Sequence, residues 1–133
     1  MSHFTIIKTQ LRDRDLLCQA LQKMGFDTVE LHDTPQPLYG YEGDMRPERA
    51  EVIVRRQFIG ELSNDIGFQK QKDGSYSAII SDFDRWQYDQ QWLGKLGQCY
   101  GYLALLKSAQ EQGLTVDVAE TLADGTIRLV LAG

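Results

Sequence analysis

Between residues 90 and 113 the apolar positions recur with a helical period. Trp92, Leu96, Cys99, Leu103 and Leu106 follow at steps of four, three, four and three, which lays one stripe along a helix over 90–112. Gly94, Gly97 and Gly101 share a face of the same segment. Each glycine inside a helix costs about 0.5–1 kcal/mol relative to alanine. The trio therefore predicts a close approach, either to the protein's own sheet or to a second copy through the Gly97–Gly101 pair. A shorter helix is predicted over 13–24, with Asp13 as N-cap, Leu17, Leu21 and Met24 inward, and Leu16 and Ala20 beside them. Lys23 suits the last turn, Gly25 the left-handed position after it, and Phe26 the closing apolar contact.

The other hydrophobic runs alternate with a period of two and predict strands. Residues 3–9 place Phe4 and Ile6 on one face, 28–31 place Val29 and Leu31, and 51–57 place Val52 and Val54. A hairpin is expected over 65–83. Ile66 and Phe68 lead in, Asp73-Gly74 supplies a two-residue type I′ turn, and Tyr76, Ala78 and Ile80 lead out. Val116 and Val118, Asp124-Gly125, then Ile127, Leu129 and Leu131 repeat the device. The stretch 32–49 holds all three prolines and reads as a long irregular loop, with a short edge strand at most near Leu38, Tyr39 and Tyr41. Both helices run through a glycine and a large apolar residue into a strand. A degenerate strand-helix-strand repeat and shared C-cap chemistry both account for that echo.

The patterns add up to an α+β fold in one domain, 1–133. A mostly antiparallel sheet of about six to eight strands carries the helices at 13–24 and 90–112 on one face. The opposite face would then be solvated, or buried by a partner or second copy. Hydrophobic content of 42% is enough for a core in a chain of this size. A net charge of −5 argues against a nucleic-acid partner, because phosphate neutralisation supplies most of that affinity. No apolar run is long enough for a membrane span, and the N-terminus does not read as a signal peptide. Cys18 and Cys99 lie in helical contexts and read as buried thiols more than as a disulfide, which suits a cytoplasmic, reducing setting.

Candidate chemistry is sparse. In 81–92, Asp82, Asp84 and Asp89 interleave with Phe83, Trp86, Tyr88 and Trp92. Asp82 and Asp84 are too few oxygens for a calcium loop. Either Asp84 or Asp89 is expected to cap the long helix, and the aromatics either cover the core or anchor a protein partner. Phe83, Trp86 and Tyr88, with Tyr39 and Tyr41, form the predicted binding surface. Arg46, Arg49, Arg55 and Arg56 are the alternative, an anion or small-molecule site, although neither a phosphate loop nor a dinucleotide fingerprint accompanies them. Acidic neighbours make a charge-balanced surface the plainer reading. His3 and His32 would meet only if their strands were neighbours, and two histidines alone do not make a zinc site. No catalytic set, metal site or cofactor motif emerges, so an enzyme is the weaker expectation and a protein partner or homodimer the stronger.

The opening SHFTIIKTQLRD, the leucine-rich helix ending at Gly25, Asp65-Ile66-Gly67, Tyr100 and Tyr102, the Gln112-Gly113 helix end and the closing DGTIRLVL together resemble one family. It is the family catalogued as hypothetical chloroplast reading frame thirty-five, found in cyanobacteria and in plastid genomes of red-algal type. The resemblance covers nearly the whole chain. It implies no activity and no catalytic residues, since the family is one of unknown function. It implies a cyanobacterial cytoplasm or plastid stroma, and by association a housekeeping role near photosynthesis. The long helix departs from the family pattern at Gly97, Cys99 and Gly101, where a basic, alanine-bearing pattern is usual.

Overall fold

The computed structural model describes residues 3–121, 123 and 127–132, with side chains over 3–114. Strand β1 (Phe4–Lys8) leads into α1 (Arg14–Lys23), then β2 (Glu30–Tyr39) and β3 (Met45–Val54). A 3₁₀ turn at Arg56–Phe58 precedes β4 (Ile66–Lys70) and β5 (Tyr76–Ser81). A second 3₁₀ turn at Asp84–Trp86 leads into α2 (Gln90–Glu111), followed by β6 (Thr115–Thr121) and β7 (Ile127–Ala132). The fold is α+β as the pattern predicts, but the sheet is smaller than the six to eight strands expected. Five antiparallel strands pair in the order β1-β5-β4-β3-β2, and β6 and β7 form a separate antiparallel ribbon. The predicted Asp124-Gly125 turn lies outside the described residues.

Both helices end by the same device. The Phe26 amide donates to the Leu21 carbonyl and Gly25, at φ 107°, donates to Gln22. At the end of α2, Leu114 donates to Ala109 and Gly113, at φ 74°, to Gln110. These paired bonds satisfy carbonyls that no further helical turn can reach. At the other ends, Asp13 accepts from the amides of Asp15 and Leu16, and Asp89 from that of Trp92. The first-turn amides and Lys107 hold the Asp13 carboxyl below the ordinary range, against a smaller opposing effect of burial.

On the front of the sheet Val52, Phe68, Ala78 and Ile7 face one another across four strands. They pack against Leu17, Ala20 and Leu21 of α1 and against Trp92, Leu96, Cys99 and Leu103 of α2. The predicted stripes of both helices are thus the ones that meet the core, except for Leu106, which lines an open pocket between the two helices. The thiols of Cys18 and Cys99 are free and half-buried, and desolvation pushes both above their ordinary range.

Behind the sheet the expectation fails. The stretch read as an irregular loop is the longest hairpin in the described fold, β2 with β3. Pro35 and Pro37 are tolerated because β2 is an edge strand, where a missing amide leaves no ladder bond unmade on the solvent side. Register shifts fall between Leu31 and Gln36 and again between Pro37 and Tyr39. Only Val52–Val54 of β3 pair with β4. The rest of the hairpin curls off the sheet and crosses its back. There Leu38, Ala50, Ile53 and Ile79 form a second buried cluster, with Phe4 packed against it. The Arg46 guanidinium lies 5.4 Å from the centre of the Phe4 ring, on the far edge strand. The arm covers the back face over β4 and β5, which also explains why every residue of β5 is buried, while Ile6 of β1, in register with Ile79 on the same face, stays 59% exposed.

The arm needs Gly67. A Cβ there would stand 2.7 Å from the Ala50 Cβ and 2.9 Å from Leu38 Cδ2. The α2 glycines need no such space: a Cβ at Gly94, Gly97 or Gly101 would meet nothing within 4 Å. Among the described residues nothing packs closely on that face, and Gly94 and Gly97 border an open groove of about 450 Å³ beside β1. The β4–β5 turn also differs from the type I′ expectation. Gln71 and Ser75 close it, and only Gly74, at φ 88°, is left-handed. Asp73 has negative φ. Its carboxylate accepts instead from the amide and hydroxyl of Ser75.

Candidate functional site

Three loops gather at one end of the sheet: the arm tip at 40–44, the connection 55–65, and the segment 82–89. Four buried polar residues hold them together. Asp65, fully buried, accepts from the Tyr39 amide at 2.7 Å and Arg55 Nη1 at 2.8 Å through Oδ2, and from the Arg56 amide at 2.7 Å through Oδ1. Asn64 accepts from the Tyr41 amide at 2.9 Å, and its own amide donates to Asp84 Oδ2 at 2.9 Å. The Asn64 side-chain amide donates to the Ser81 hydroxyl, which donates to Asp84 Oδ2, both at 2.8 Å. A carboxylate is buried at such low exposure only when donors surround it, and here backbone amides from separate segments join the Arg55 guanidinium and the Ser81 hydroxyl. The network fixes the loops more firmly than a few exposed contacts would.

Arg55 extends the network outward. Its Nε and Nη2 make a paired contact with Glu30 at 2.9 Å each, and Nη1 also reaches the Pro37 carbonyl at 3.0 Å. The guanidinium lies 5.4 Å from the Tyr39 ring centre. Chiefly because of Arg55, and with His32 at 2.8 Å adding to it, the Glu30 carboxyl titrates below the ordinary range despite partial burial. Arg56 donates to the carbonyls of Ser63, Tyr41 and Glu61. Arg46 contacts Asp44 at 3.5 Å and Glu48 at 3.8 Å, and Arg49 is exposed on β3. The four arginines of the anion reading do not converge: Arg55 and Arg56 point into the loops, and Arg46 lies over Phe4.

The aromatic set divides. Trp86 is 75% exposed, Phe83 45%, Tyr41 37% and Tyr39 36%. Tyr88 is 7% exposed and lies with its ring centre 6.0 Å from Phe26 and 5.1 Å from Trp92. It belongs to the core and is out of reach of a partner. Leu62, in the middle loop two residues from Asn64, is exposed and joins the accessible set, as does Met45 at the base of the arm tip. The neighbouring Glu42 carboxylate holds the Tyr41 hydroxyl's ionisation above the ordinary range.

Among the acids of 82–89, Asp89 caps α2, Asp84 turns into the network, and Asp82 accepts from the Thr5 hydroxyl at 3.0 Å. Asp82 and Asp84 therefore point apart. His3 and His32 lie at opposite edges of the sheet, since β1 and β2 are its outer strands. Among the described residues no helix is long and apolar enough to cross a membrane. Asn64, Asp65 and Ser81 had no signal as a network. Only Asp65-Ile66-Gly67 was marked, through the family resemblance, and the structure gives that triplet two uses: Asp65 anchors the arm and Gly67 makes room for it.

Comparison with known proteins agrees on family and is silent on activity. The family described as "Protein of unknown function (DUF1257)" matches residues 20–130. The chain is 33% identical to "Uncharacterized protein ycf35" of Guillardia theta, covering 98% of this chain and 96% of the relative. It is 28% identical to the protein of that name from Cyanophora paradoxa and 26% to that from Pyropia yezoensis, with the same coverage. No solved structure matches the chain.

Proposed function

From the premise that the chain belongs to the DUF1257 family, we propose that it is a non-enzymatic binding or assembly-accessory protein. Its docking surface is the three-loop end, with Trp86, Phe83, Tyr39 and Tyr41 as contacts. The observation that carries this is Trp86: a tryptophan 75% exposed on a turn that begins at buried Asp84. Large aromatics held in place before binding lose little freedom when they dock, which is why tryptophan and tyrosine recur among the residues that dominate interfaces. The ycf35 naming of the relatives supports a cyanobacterial cytoplasm or plastid stroma as the setting, near photosynthetic housekeeping.

The test is a quantitative pull-down from host lysate with wild type and Trp86→Ala. Partners should be retained by wild type and lost from the variant, at unchanged melting temperature. Identical partner lists would refute the reading. The anion-site alternative through Arg46, Arg49, Arg55 and Arg56 has less support, because two of its guanidiniums are already bonded to internal oxygens. A rise in melting temperature with phosphates or nucleotides, through mass action, would revive it.

A further inference from the structure

We propose that the segment docking at the three-loop end is a cationic one: a protein strand or loop that sets lysine or arginine side chains around an apolar anchor. The proposal rests on the docking reading above and adds the chemistry of the partner. Its basis is the unequal fate of acids and bases on these loops. The arginines are turned inward. Arg55 is bonded to Glu30 and Asp65, Arg56 to three carbonyls, and Arg85 is half-buried. Of the acids, Asp65 and Asp84 are buried in the network and Asp89 caps α2, but the other four are left outside. Glu42, Asp44, Glu61 and Asp82 are all exposed, at least one on each loop.

Exposed Leu62 and Phe83 each directly follow an exposed acid, Glu61 and Asp82, on loops that Asn64 ties together, and the protein's net charge is already −5. Within about one Debye length, roughly 8 Å at physiological salt, such a rim attracts cations and repels phosphate. An apolar patch with acidic edges fits a basic protein segment and disfavours an anionic bilayer or nucleic acid, whose binding needs exposed lysine or arginine. Complementary rim charge also speeds the encounter and selects against partners of like charge.

The test uses the full chain and a random peptide library displayed on phage. Selection is on wild type, with counter-selection on Trp86→Ala. The expected survivors carry lysine or arginine beside aromatic or aliphatic residues. They should bind a Glu61→Lys/Asp82→Lys variant about tenfold more weakly, and wild type more weakly as salt rises. Survivors with no excess of positive charge, or indifferent to the charge reversal, would overturn the cationic assignment and leave the docking surface standing. A library yielding no Trp86-dependent peptide would overturn both. Co-sedimentation of the protein with phosphatidylglycerol–phosphatidylcholine vesicles would overturn the assignment in favour of a membrane surface.

Discussion

Gly67 and the glycines of α2 are the same residue in opposite situations. At Gly67 two side chains of the crossing arm stand where a Cβ would go. At Gly94, Gly97 and Gly101 there is open space. In the first case the missing side chain permits a second layer. In the second it leaves a helix with an intrinsic cost and no contact among the described residues that offsets it. Three glycines on one helical face were the louder signal in the sequence, yet the single glycine in a short strand is the one the fold requires. Close approach depends on what crosses overhead, which the glycines themselves do not encode.

The contrast can be broken at the arm first. Asp65→Ala removes the buried carboxylate that receives Arg55 and two backbone amides. Removing one partner of a buried pair leaves the other uncompensated, so the expected loss is about 3–5 kcal/mol, read from urea unfolding. A loss below about 1 kcal/mol would mean the arm is held by its apolar contacts alone. Gly67→Ala comes next. The Ala50 Cβ belongs to a strand and moves only with it, so about 1–3 kcal/mol of destabilisation is expected. Gly67→Ala with the same stability as wild type would show that the arm lifts off the sheet easily.

The α2 glycines should respond with the opposite sign. Gly97→Ala and Gly101→Ala are each expected to stabilise by about 0.5–1 kcal/mol, seen as a raised melting temperature. A fall in stability, or a change in sedimentation mass with Gly97→Leu, would reveal a second copy on that face. The smallest effect is the pH dependence at the edge of the arm. Arg55 holds Glu30 below its unfolded value, so the pair stabilises the fold above about pH 4.3, the usual glutamate value. That contribution is lost as pH falls through the lower folded value. Glu30→Gln should therefore cost up to about 1 kcal/mol at neutral pH, and the difference should close under acid unfolding. A gap that persists in acid would assign the effect to packing.

Much of the fold was legible because local chemistry fixes it. Asp13 caps α1 whatever the surroundings, and Gly25 and Gly113 stop the helices by adopting a backbone conformation that other residues reach only with strain; for α2 the sequence left Asp84 and Asp89 open, and the structure chose Asp89. The stripe from Trp92 to Leu103 could face only a core. The candidate surface was half legible. Trp86 and Phe83 were marked by type, but Tyr88, four residues after Asp84, carries the same chemistry and is core. Whether an aromatic in irregular sequence faces in or out depends on which neighbour reaches it, here Phe26 just past the end of α1.

By itself, then, the sequence determined the class of fold, both helices with their C-terminal stops and most of their inward stripes, the Asp13 cap, most of the strand segments, and the family. Each of these rests on interactions within a few residues, or on a period the chain repeats. Tertiary structure alone decided that 32–49 is a folded arm and not a loop, and that the arm closes the back of the sheet over β4 and β5. It also turned Arg55 and Arg56 into internal ties and left Glu42, Asp44, Glu61 and Asp82 outside. Those outcomes depend on residues far apart in the chain meeting in space: Leu38 and Ala50 over Gly67, Arg46 over Phe4, Asn64 between Tyr41 and Asp84. No periodicity records such meetings, because their energy is realised only after the layers have packed.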